Sequence, residues 1–264
     1  QAHPNGQTSW PKQAQSWSAR FRRCLKEKQF IQYYQPLVDF KSQQAIGAEA
    51  LTRWQRSATD LRLPSEFIPM AENHGVVSEL DRAAFRDVCK QAAQARSRLE
   101  QGFCFYVNLS ACSLNEDGMY DFLTATIASF GLRPENFCIE LTESVTLLET
   151  DPGRECLFQL SRQGFSIVLD DFGAGYSSLS LLKALPVSGI KIDKSFVANI
   201  TRSSRDRKIV ESLLSLCKSL ETCSIVEGIE TGEQADILTD LGADIGQGYY
   251  FGRPAPFGEA LPRV

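Results

Sequence analysis

The chain has 264 residues, of which 43% are hydrophobic and 23% are charged, and these proportions are typical of one large globular domain with a sizeable core. A net charge of −4 and the lack of an apolar run near the ~20 residues that cross a bilayer predict no nucleic-acid polymer and no membrane contact. Eight cysteines without a Cys-x-x-Cys pair, and only two histidines, argue against zinc and favour a reducing cytoplasm.

The amino-terminal part of the chain contains a polar segment and then two closely spaced strands. Residues 1–15 are interpreted as a tail or linker before a domain that spans residues 16–264. A helix is predicted over residues 17–28, because its apolar residues share one face. Strands are predicted at residues 30–40 and 45–53, and a connection this short favours an antiparallel pair.

The remaining chain alternates between helix-length amphipathic segments and short apolar runs, after a turn at residues 57–63. The predicted helices cover residues 65–71, 78–99, 120–130, 152–163, 177–185, 204–217 and 233–241. The predicted strands cover residues 103–109, 137–141, 167–169, 189–192 and 224–226, with a last one that ends at Gln247. This alternation predicts an α/β fold of the (β/α)8 TIM-barrel type, irregular at its first strand pair.

Polar side chains occur at the carboxyl end of nearly every predicted strand. They are Glu49, Asn108, Glu140, Asp170, Asp171, Lys191, Glu227 and Gln247. In such a barrel these strand ends meet at one face, which carries the chemistry. Carboxylates gathered there would repel each other, and oxygen-ligated divalent cations resolve that repulsion. The pattern predicts Mg²⁺ or Mn²⁺, with Ca²⁺ as a competitor, and two ions that activate water and clamp a phosphoryl group.

Each of these residues also has a structural interpretation, as a helix cap, a core acid paired with a neighbouring arginine, or a solvated side chain. Their convergence on one face of the predicted barrel favours a shared site instead. Glu143 lies beyond the strand that carries Glu140, and it is expected to anchor a neighbouring loop rather than to bind metal.

Several motifs occur in a fixed order between about residues 32 and 256. They are Tyr34-Gln-Pro-Leu37, Glu49-Ala-Leu-Thr-Arg-Trp54, Phe67-Ile-Pro-Met-Ala-Glu72, Val107-Asn-Leu-Ser110, Glu140-Leu-Thr-Glu-Ser144, Asp170-Asp-Phe-Gly-Ala-Gly-Tyr-Ser-Ser178, Lys191-Ile-Asp193, Glu227-Gly-Ile-Glu230 and Gln247-Gly-Tyr249. A lone Glu-Ala-Leu carries no weight, but the ordered set is very specific. In these motifs the chain resembles the EAL domain of bacterial cyclic-di-GMP phosphodiesterases.

The resemblance implies an irregular (β/α)8 barrel with an antiparallel first strand, and hydrolysis of cyclic di-GMP to linear pGpG with two Mg²⁺ or Mn²⁺ ions. Ca²⁺ is expected to inhibit. The implied metal ligands are Glu49, Asn108, Glu140, Asp170 and Asp171. The implied substrate contacts are Gln35, Arg53, Asp81, Glu230 and Gln247. The implied catalytic residues are Lys191, which orients the attacking water, Glu227, which is a general base, a metal ligand or both, and Glu143, which holds the Asp170–Asp171 loop.

We expect an active phosphodiesterase. The alternatives are a receptor that binds cyclic di-GMP without cutting it, an unrelated metal-dependent barrel enzyme of the enolase type, and a scaffold without chemistry. The sequence keeps every ligand and loop acid that silent receptors typically lose. The resemblance also implies a homodimer, with residues 204–220 as one candidate interface, a regulatory region in a longer chain, and a cytoplasmic location, either free or as part of a membrane-anchored sensor.

Overall fold

A computed structural model describes residues 10–99, 102–141, 151–173 and 179–261. In this part of the chain the strands are β1 (Phe30–Asp39), β2 (Ala45–Ser57), β3 (Asp60–Arg62), β4 (Cys104–Asn108), β5 (Phe137–Leu141), β6 (Ser166–Phe172), β7 (Gly189–Ile192), β8 (Cys223–Val226) and β9 (Ile245–Gln247). The helices are α1 (Trp10–Lys26), α2 (Pro64–Asn73), α3 (Val77–Gln94), α4 (Arg96–Leu99), α5 (Ala111–Leu114), α6 (Met119–Ser129), α7 (Asp151–Gln163), α8 (Leu179–Ala184), α9 (Ser204–Ser219), α10 (Gly232–Asp240) and α11 (Phe257–Ala260).

Eight of the strands close into a barrel. Their order around it is β1-β9-β8-β7-β6-β5-β4-β2, and a pairing between β1 and β2 closes the ring. β1 runs antiparallel to both β2 and β9, whereas the other neighbours in the ring are parallel. The predicted (β/α)8 barrel with an antiparallel first strand is therefore confirmed.

The hairpin of β2 and β3 corrects one expectation. Residues 57–63 were expected to form a turn, but they contain β3, which pairs antiparallel with the end of β2 outside the ring. Asp60 forms ion pairs across this hairpin, with Arg62 Nε at 2.6 Å and with Arg56 Nη1 at 3.4 Å. A strand of three residues is too short to show an alternation of polar and apolar residues, so the sequence pattern did not indicate β3.

Two helix boundaries differ from those expected, and the residue that caps α9 is identified. α1 begins at Trp10, so residues 10–15 of the predicted tail are helical, and Pro11 is tolerated in a first helical turn. The helix predicted over residues 78–99 is divided into α3 and α4 at Ala95, whose φ and ψ of −103° and 28° are not helical. α9 begins at Ser204 as predicted, and the Ser203 side chain caps it by accepting from Asp206 N.

The barrel interior is a packed core below the strand ends, not a pore. Apolar side chains from several strands fill it, namely Leu37, Tyr106, Cys138, Val168, Ile225 and Ile245. Gly47 is required beside this layer, because a Cβ there would lie 2.7 Å from a ring carbon of Tyr106. This apolar layer closes the barrel interior below the carboxyl ends of the parallel strands.

Aromatic side chains fix the first helices to the barrel wall. Phe30 lies 4.7 Å from Phe21 of α1, 5.3 Å from Trp54 of β2 and 5.5 Å from Phe67 of α2 between ring centres. Such pairs contribute about 0.5–1.5 kcal/mol each beyond area burial. All eight cysteines are unpaired, and no described helix is long and apolar enough to cross a membrane.

Candidate active site

The structure brings the predicted charged residues together at the carboxyl ends of the strands. Glu49 lies on β2 and Lys191 on β7, and Asn108 at the end of β4 pairs with Glu140, the penultimate residue of β5. Asp170 and Asp171 lie on β6, and Glu227 follows β8. The alternation of parallel strands and helices thus turns residues that are far apart in sequence into one cluster.

Lys191 lies at the centre of this cluster with 1% of its side chain exposed. Its Nζ lies 2.7 Å from Glu227 Oε1, 3.0 Å from Glu140 Oε1, and 3.3 Å from an oxygen of both Glu49 and Asp170. Burial disfavours the ammonium, but the four carboxylates outweigh that effect and raise the pKa of Lys191 well above its usual value. A solvated lysine is therefore the wrong interpretation of this residue.

Glu49 is the most fully hydrogen-bonded acid of the cluster. Gln247 Nε2 donates to its Oε2 at 2.6 Å, and Asn108 Nδ2 donates to its Oε1 at 2.9 Å. Burial alone would raise the pKa of Glu49, but Lys191 and these two donors lower it. Glu49 is thus an ionised carboxylate held in one orientation, not a core acid paired with Arg53.

Glu140 is in the opposite electrostatic situation. It is completely buried, and burial followed by the negative charge of Glu49 raises its pKa well above the usual value. Asn108 donates to its Oε2 at 3.1 Å, while its Oε1 is buried without a hydrogen bond although it lies near Lys191. A carboxylate oxygen left in this state is a natural ligand for a cation.

A β-bulge shapes the end of β6, where the register against β7 shifts between Leu169 and Phe172. A bulge redirects side chains, which is why bulges are common beside functional sites. Asp171 within it has φ of +55°, a left-handed conformation that Asp tolerates better than most residues. Its backbone N–H donates to Asp170 Oδ1 at 2.9 Å, so the two adjacent carboxylates are held in a defined arrangement.

The oxygens of the cluster fit two divalent cations. Glu49, Glu140 and Asp170 bring carboxylate oxygens within 4.8 Å of one another, and so do Asp170, Asp171 and Glu227, so Asp170 belongs to both groups. Five carboxylates and one ammonium give a formal charge of −4 when all are ionised, which two divalent cations would balance. Carboxylate and amide oxygens are the ligands that Mg²⁺, Mn²⁺ and Ca²⁺ prefer.

Glu227 lies at the edge of the cluster. Burial raises its pKa to about 7, although the nearby ammonium of Lys191 acts in the opposite direction. A carboxylate with a pKa near neutrality exchanges a proton readily at physiological pH.

A cavity of about 480 Å³ opens beside the cluster, between β2 and β4 on one side and α2 and α3 on the other. Its walls are mostly apolar, with side chains such as Ile68, Pro69 and Leu80, and Glu49, Asn108 and Asp171 lie at its edge. Asp81 also lines it, and burial raises the pKa of this carboxyl group. A flat heterocycle with polar edges suits a cavity of this size and composition.

The other predicted substrate contacts lie outside this cavity. Gln35 is buried, donates to Gly252 O at 3.0 Å and accepts from Gln247 Nε2 at 3.2 Å. The Arg53 guanidinium lies 5.6 Å from the Tyr33 ring centre and donates to Thr52 O, and burial lowers its pKa. Glu230 is exposed. Glu143 lies outside the described residues.

Sequence reasoning missed Ser110 and Ser113 as partners of Asp81. Ser110 N and Ser113 Oγ both donate to Asp81 Oδ2, at 2.9 and 2.5 Å. Ser110 also caps α5, so the spacing Ser110-x-x-Ser113 after a strand was the available signal. That spacing indicates a helix start, but it does not indicate which carboxylate the second hydroxyl reaches.

The fold and the site define a class of protein: an irregular (β/α)8 barrel with a cluster of acidic side chains that could hold cations at the carboxyl ends of its strands. The chain belongs to the EAL domain family, whose model matches residues 18–254.

The chain is similar in sequence to parts of longer bacterial proteins. The bifunctional diguanylate cyclase/cyclic di-GMP phosphodiesterase MucR of Pseudomonas aeruginosa is 35% identical over 246 residues, which are 92% of this chain and 36% of MucR. The cyclic di-GMP phosphodiesterase PdeB of Shewanella oneidensis is 32% identical over 249 residues, 94% of this chain and 29% of PdeB. The chain thus spans about a third of the length of these relatives.

Solved structures have the same fold. The PaMucR phosphodiesterase in complex with c-di-GMP superposes with a TM-score of 0.84 at 34% identity, over 92% of this chain and 98% of that one. The EAL enzyme Bd1971, bound to cAMP and cyclic di-GMP, superposes with a TM-score of 0.86 at 29% identity, over 96% of this chain and 69% of that one.

Proposed function

We propose that this chain hydrolyses one phosphodiester bond of cyclic di-GMP to give linear pGpG, with two divalent cations as cofactors. The observation that carries this proposal is the position of Asp170, whose carboxylate belongs to two separate cation-sized groups of oxygens at the barrel mouth. A shared carboxylate between paired cations is typical of phosphoester hydrolysis. The phosphodiesterase names of MucR and PdeB support the same substrate.

The ligand sets follow from the two groups of oxygens. We propose that Glu49, Asn108, Glu140 and Asp170 hold one cation, and that Asp170, Asp171 and Glu227 hold the second. The Asn108 amide nitrogen donates to Glu49 and Glu140, so ligation through its oxygen would require the amide to turn over and exchange its two end atoms. Mg²⁺ or Mn²⁺, when bound, would polarise the phosphoryl oxygens and lower the pKa of a coordinated water.

The chain's own residues would then direct the reaction. Lys191 supplies a fixed positive charge at the centre of the cluster and donors that orient the attacking water. Glu227 accepts a proton from that water, a role that suits a pKa near 7. We assign Glu143 the role of holding the Asp170–Asp171 loop in its active shape.

Substrate binding would use both the cavity and the barrel mouth. Asp81 accepts hydrogen bonds from a guanine base that enters the apolar cavity. Arg53 pairs with a phosphate, because its guanidinium presents two parallel donors. Gln35, Glu230 and Gln247 complete the contacts around the remaining half of the dinucleotide.

We also propose that the domain forms a homodimer and belongs to a longer cytoplasmic chain with a regulatory region. The much greater length of MucR and PdeB supports the regulatory region. Sedimentation equilibrium of the chain, with and without cyclic di-GMP, tests the dimer, and a monomer under both conditions would contradict it.

The activity is tested by incubation of the chain with cyclic di-GMP and either Mg²⁺ or Mn²⁺, followed by chromatography of the products. We expect pGpG, no product with a chelator, and no product from Glu49→Ala. Glu259→Ala changes an exposed acid on α11 and is the matched control. Tight binding of cyclic di-GMP without pGpG would reject hydrolysis and support the receptor instead.

A further inference from the structure

The carboxylate of Asp81 is fixed by two donors on one of its oxygens. Ser110 N and Ser113 Oγ both reach Oδ2, at 2.9 and 2.5 Å, and Oδ1 takes part in neither hydrogen bond. Asp81 belongs to α3, whereas Ser110 and Ser113 belong to the segment that follows Asn108. The two bonds therefore tie the cavity carboxylate to the strand end that carries a proposed metal ligand.

The hydroxyl groups of the two serines form a chain of hydrogen bonds with Asp81. An ionised carboxylate only accepts, and a hydroxyl has one hydrogen, so Ser113 donates to Asp81. Ser110 Oγ lies 2.8 Å from Ser113 Oγ, a contact in which either hydroxyl can donate, and the Ser110 side chain also helps to lower the pKa of Asp81. Each bond in such a chain polarises the next. The chain ends on Asp81 and strengthens its ionised state.

Ser113 is completely buried, so its hydroxyl is held among protein groups and does not face bulk water. Burial raises the pKa of Asp81, and the donors from Ser113 and Ser110 act in the opposite direction. Loss of the Ser113 hydroxyl leaves one donor on Oδ2. The carboxylate then becomes easier to protonate and freer to rotate.

We propose that Ser113 is a positioning residue that holds the Asp81 carboxylate toward a guanine base and so sets the preference for guanine over adenine. This inference rests on the proposed binding of cyclic di-GMP. Guanine presents N1–H and a 2-amino group as donors, which a carboxylate accepts, whereas adenine presents an acceptor at N1. A carboxylate with a fixed orientation therefore favours guanine and repels adenine at the same place.

The experiment compares Ser113→Ala with a matched control at the other end of the barrel. Ser224 is also buried, and its N and Oγ both donate to Asp244 Oδ2, at 2.9 and 2.7 Å. Ser224→Ala therefore removes the same kind of hydrogen bond far from the cavity. Calorimetry with Ca²⁺ gives the Kd for cyclic di-GMP and cyclic di-AMP, and turnover with Mg²⁺ gives kcat.

We expect Ser113→Ala to weaken the binding of cyclic di-GMP about tenfold, as for a charge-assisted hydrogen bond, and not to weaken the binding of cyclic di-AMP, because the repulsion of adenine is relieved. kcat at saturating substrate stays within about twofold, because the reacting phosphate is not touched. Ser224→Ala changes neither Kd. If Ser113→Ala does not fold, Ser113→Cys is used instead, because a thiol fills a similar volume but is only a weak hydrogen-bond donor. The Kd values for the two dinucleotides are then compared in the same way.

An unchanged Kd for cyclic di-GMP, or an equal loss for both dinucleotides, would overturn the positioning role. A wild-type chain that binds cyclic di-GMP but does not cut it would reject the proposed hydrolysis, while the Kd comparison would still decide the role of Ser113. A wild-type chain that binds neither dinucleotide would overturn both proposals.

Discussion

Lys191 Nζ lies 2.7 Å from Glu227 Oε1, so one buried ion pair joins the ends of β7 and β8. The same ammonium contacts three further carboxylates from β2, β5 and β6. Lys191 thus offsets part of the negative charge of a cluster that is otherwise acidic. A buried ion pair is weak evidence for stability in itself, because desolvation opposes it. Its position among proposed metal ligands makes function the better explanation.

Lys191→Ala is expected to lower kcat about 100-fold or more, because the fixed positive charge and the donors that orient the attacking water are lost. The Kd for cyclic di-GMP should change much less, since Lys191 is completely buried below the mouth. Lys194→Ala, which changes an exposed lysine on the same segment, is the control. Wild-type turnover in Lys191→Ala would remove its assigned role.

Removal of divalent cations is expected to destabilise the domain, because repulsion among the carboxylates returns. At a Mg²⁺ concentration of about 100 times Kd the gain is about 2.7 kcal/mol, which corresponds to a rise in Tm of about 5–10 °C. Differential scanning fluorimetry with Mg²⁺ and with chelator measures the shift. An identical Tm under both conditions would argue against a preformed cation site.

Glu140→Gln is expected to raise Tm in the presence of chelator and to reduce the further rise in Tm that Mg²⁺ produces. A neutral amide reduces repulsion with Glu49 and Asp170, so Tm in chelator should rise by a few degrees. The amide is also a poorer cation ligand, so the rise on addition of Mg²⁺ should shrink. Asp240→Asn, at an exposed position on α10, should change neither quantity. A full Mg²⁺-dependent shift in Glu140→Gln would exclude Glu140 as a ligand.

Ca²⁺ is expected to raise Tm as Mg²⁺ does, but not to support turnover. Both ions accept the oxygen ligands of the cluster, yet Ca²⁺ is larger and tolerates looser coordination, which misplaces the attacking water. The measurement is product formation in Ca²⁺ alone, together with competition by Ca²⁺ at constant Mg²⁺. Full activity in Ca²⁺ alone would contradict this prediction.

The positions of the proposed ligands could be predicted because a buried parallel strand is an apolar run that ends in a polar residue. Glu140 and Lys191 each follow such a run, and the barrel brings them together, with Lys191 Nζ 3.0 Å from Glu140 Oε1. The antiparallel first pair could be predicted from the short connection between β1 and β2, which is five residues long, from 40 to 44. These features depend on local sequence and on the general geometry of barrels.

Other features depend on contacts between distant segments, and no local pattern contains them. The hydrogen bond from Ser113 to Asp81 joins residues that are 32 positions apart. The hydrogen bond from Gln247 to Glu49 spans 198 positions and follows from closure of the ring. The bulge at Asp170 and Asp171 is a shift in pairing with β7, so it also appears only when both strands are placed.

Glu227→Gln separates the two roles proposed for Glu227, because the amide keeps an oxygen but is not a base. As a base, Glu227 accounts for about 10²–10⁴-fold in kcat at saturating Mn²⁺. As a ligand, it also lowers the Mn²⁺ concentration that gives half-maximal activity. We expect both effects, and Glu233→Gln on α10 serves as the control. Full recovery of kcat at high Mn²⁺ would remove the base role, and an unchanged Mn²⁺ requirement would remove the ligand role.

Asp81→Asn is expected to change how stability depends on pH. Burial, with a smaller contribution from the charge of Glu72, raises the pKa of Asp81 in the folded chain. The folded state therefore binds more protons than the unfolded state, so this group's contribution to stability is complete below its unfolded pKa and is lost as pH rises through the folded pKa.

The side-chain amide that Asp81→Asn introduces would accept from Ser110 N and Ser113 Oγ through its oxygen and would not titrate. The free energy of unfolding of Asp81→Asn minus that of the wild type should therefore increase with pH across that window and become constant above it. Urea unfolding of both proteins between about pH 4 and pH 8 measures the difference, and subtraction removes the contributions of the other acids. A difference that is independent of pH would show that burial does not perturb Asp81.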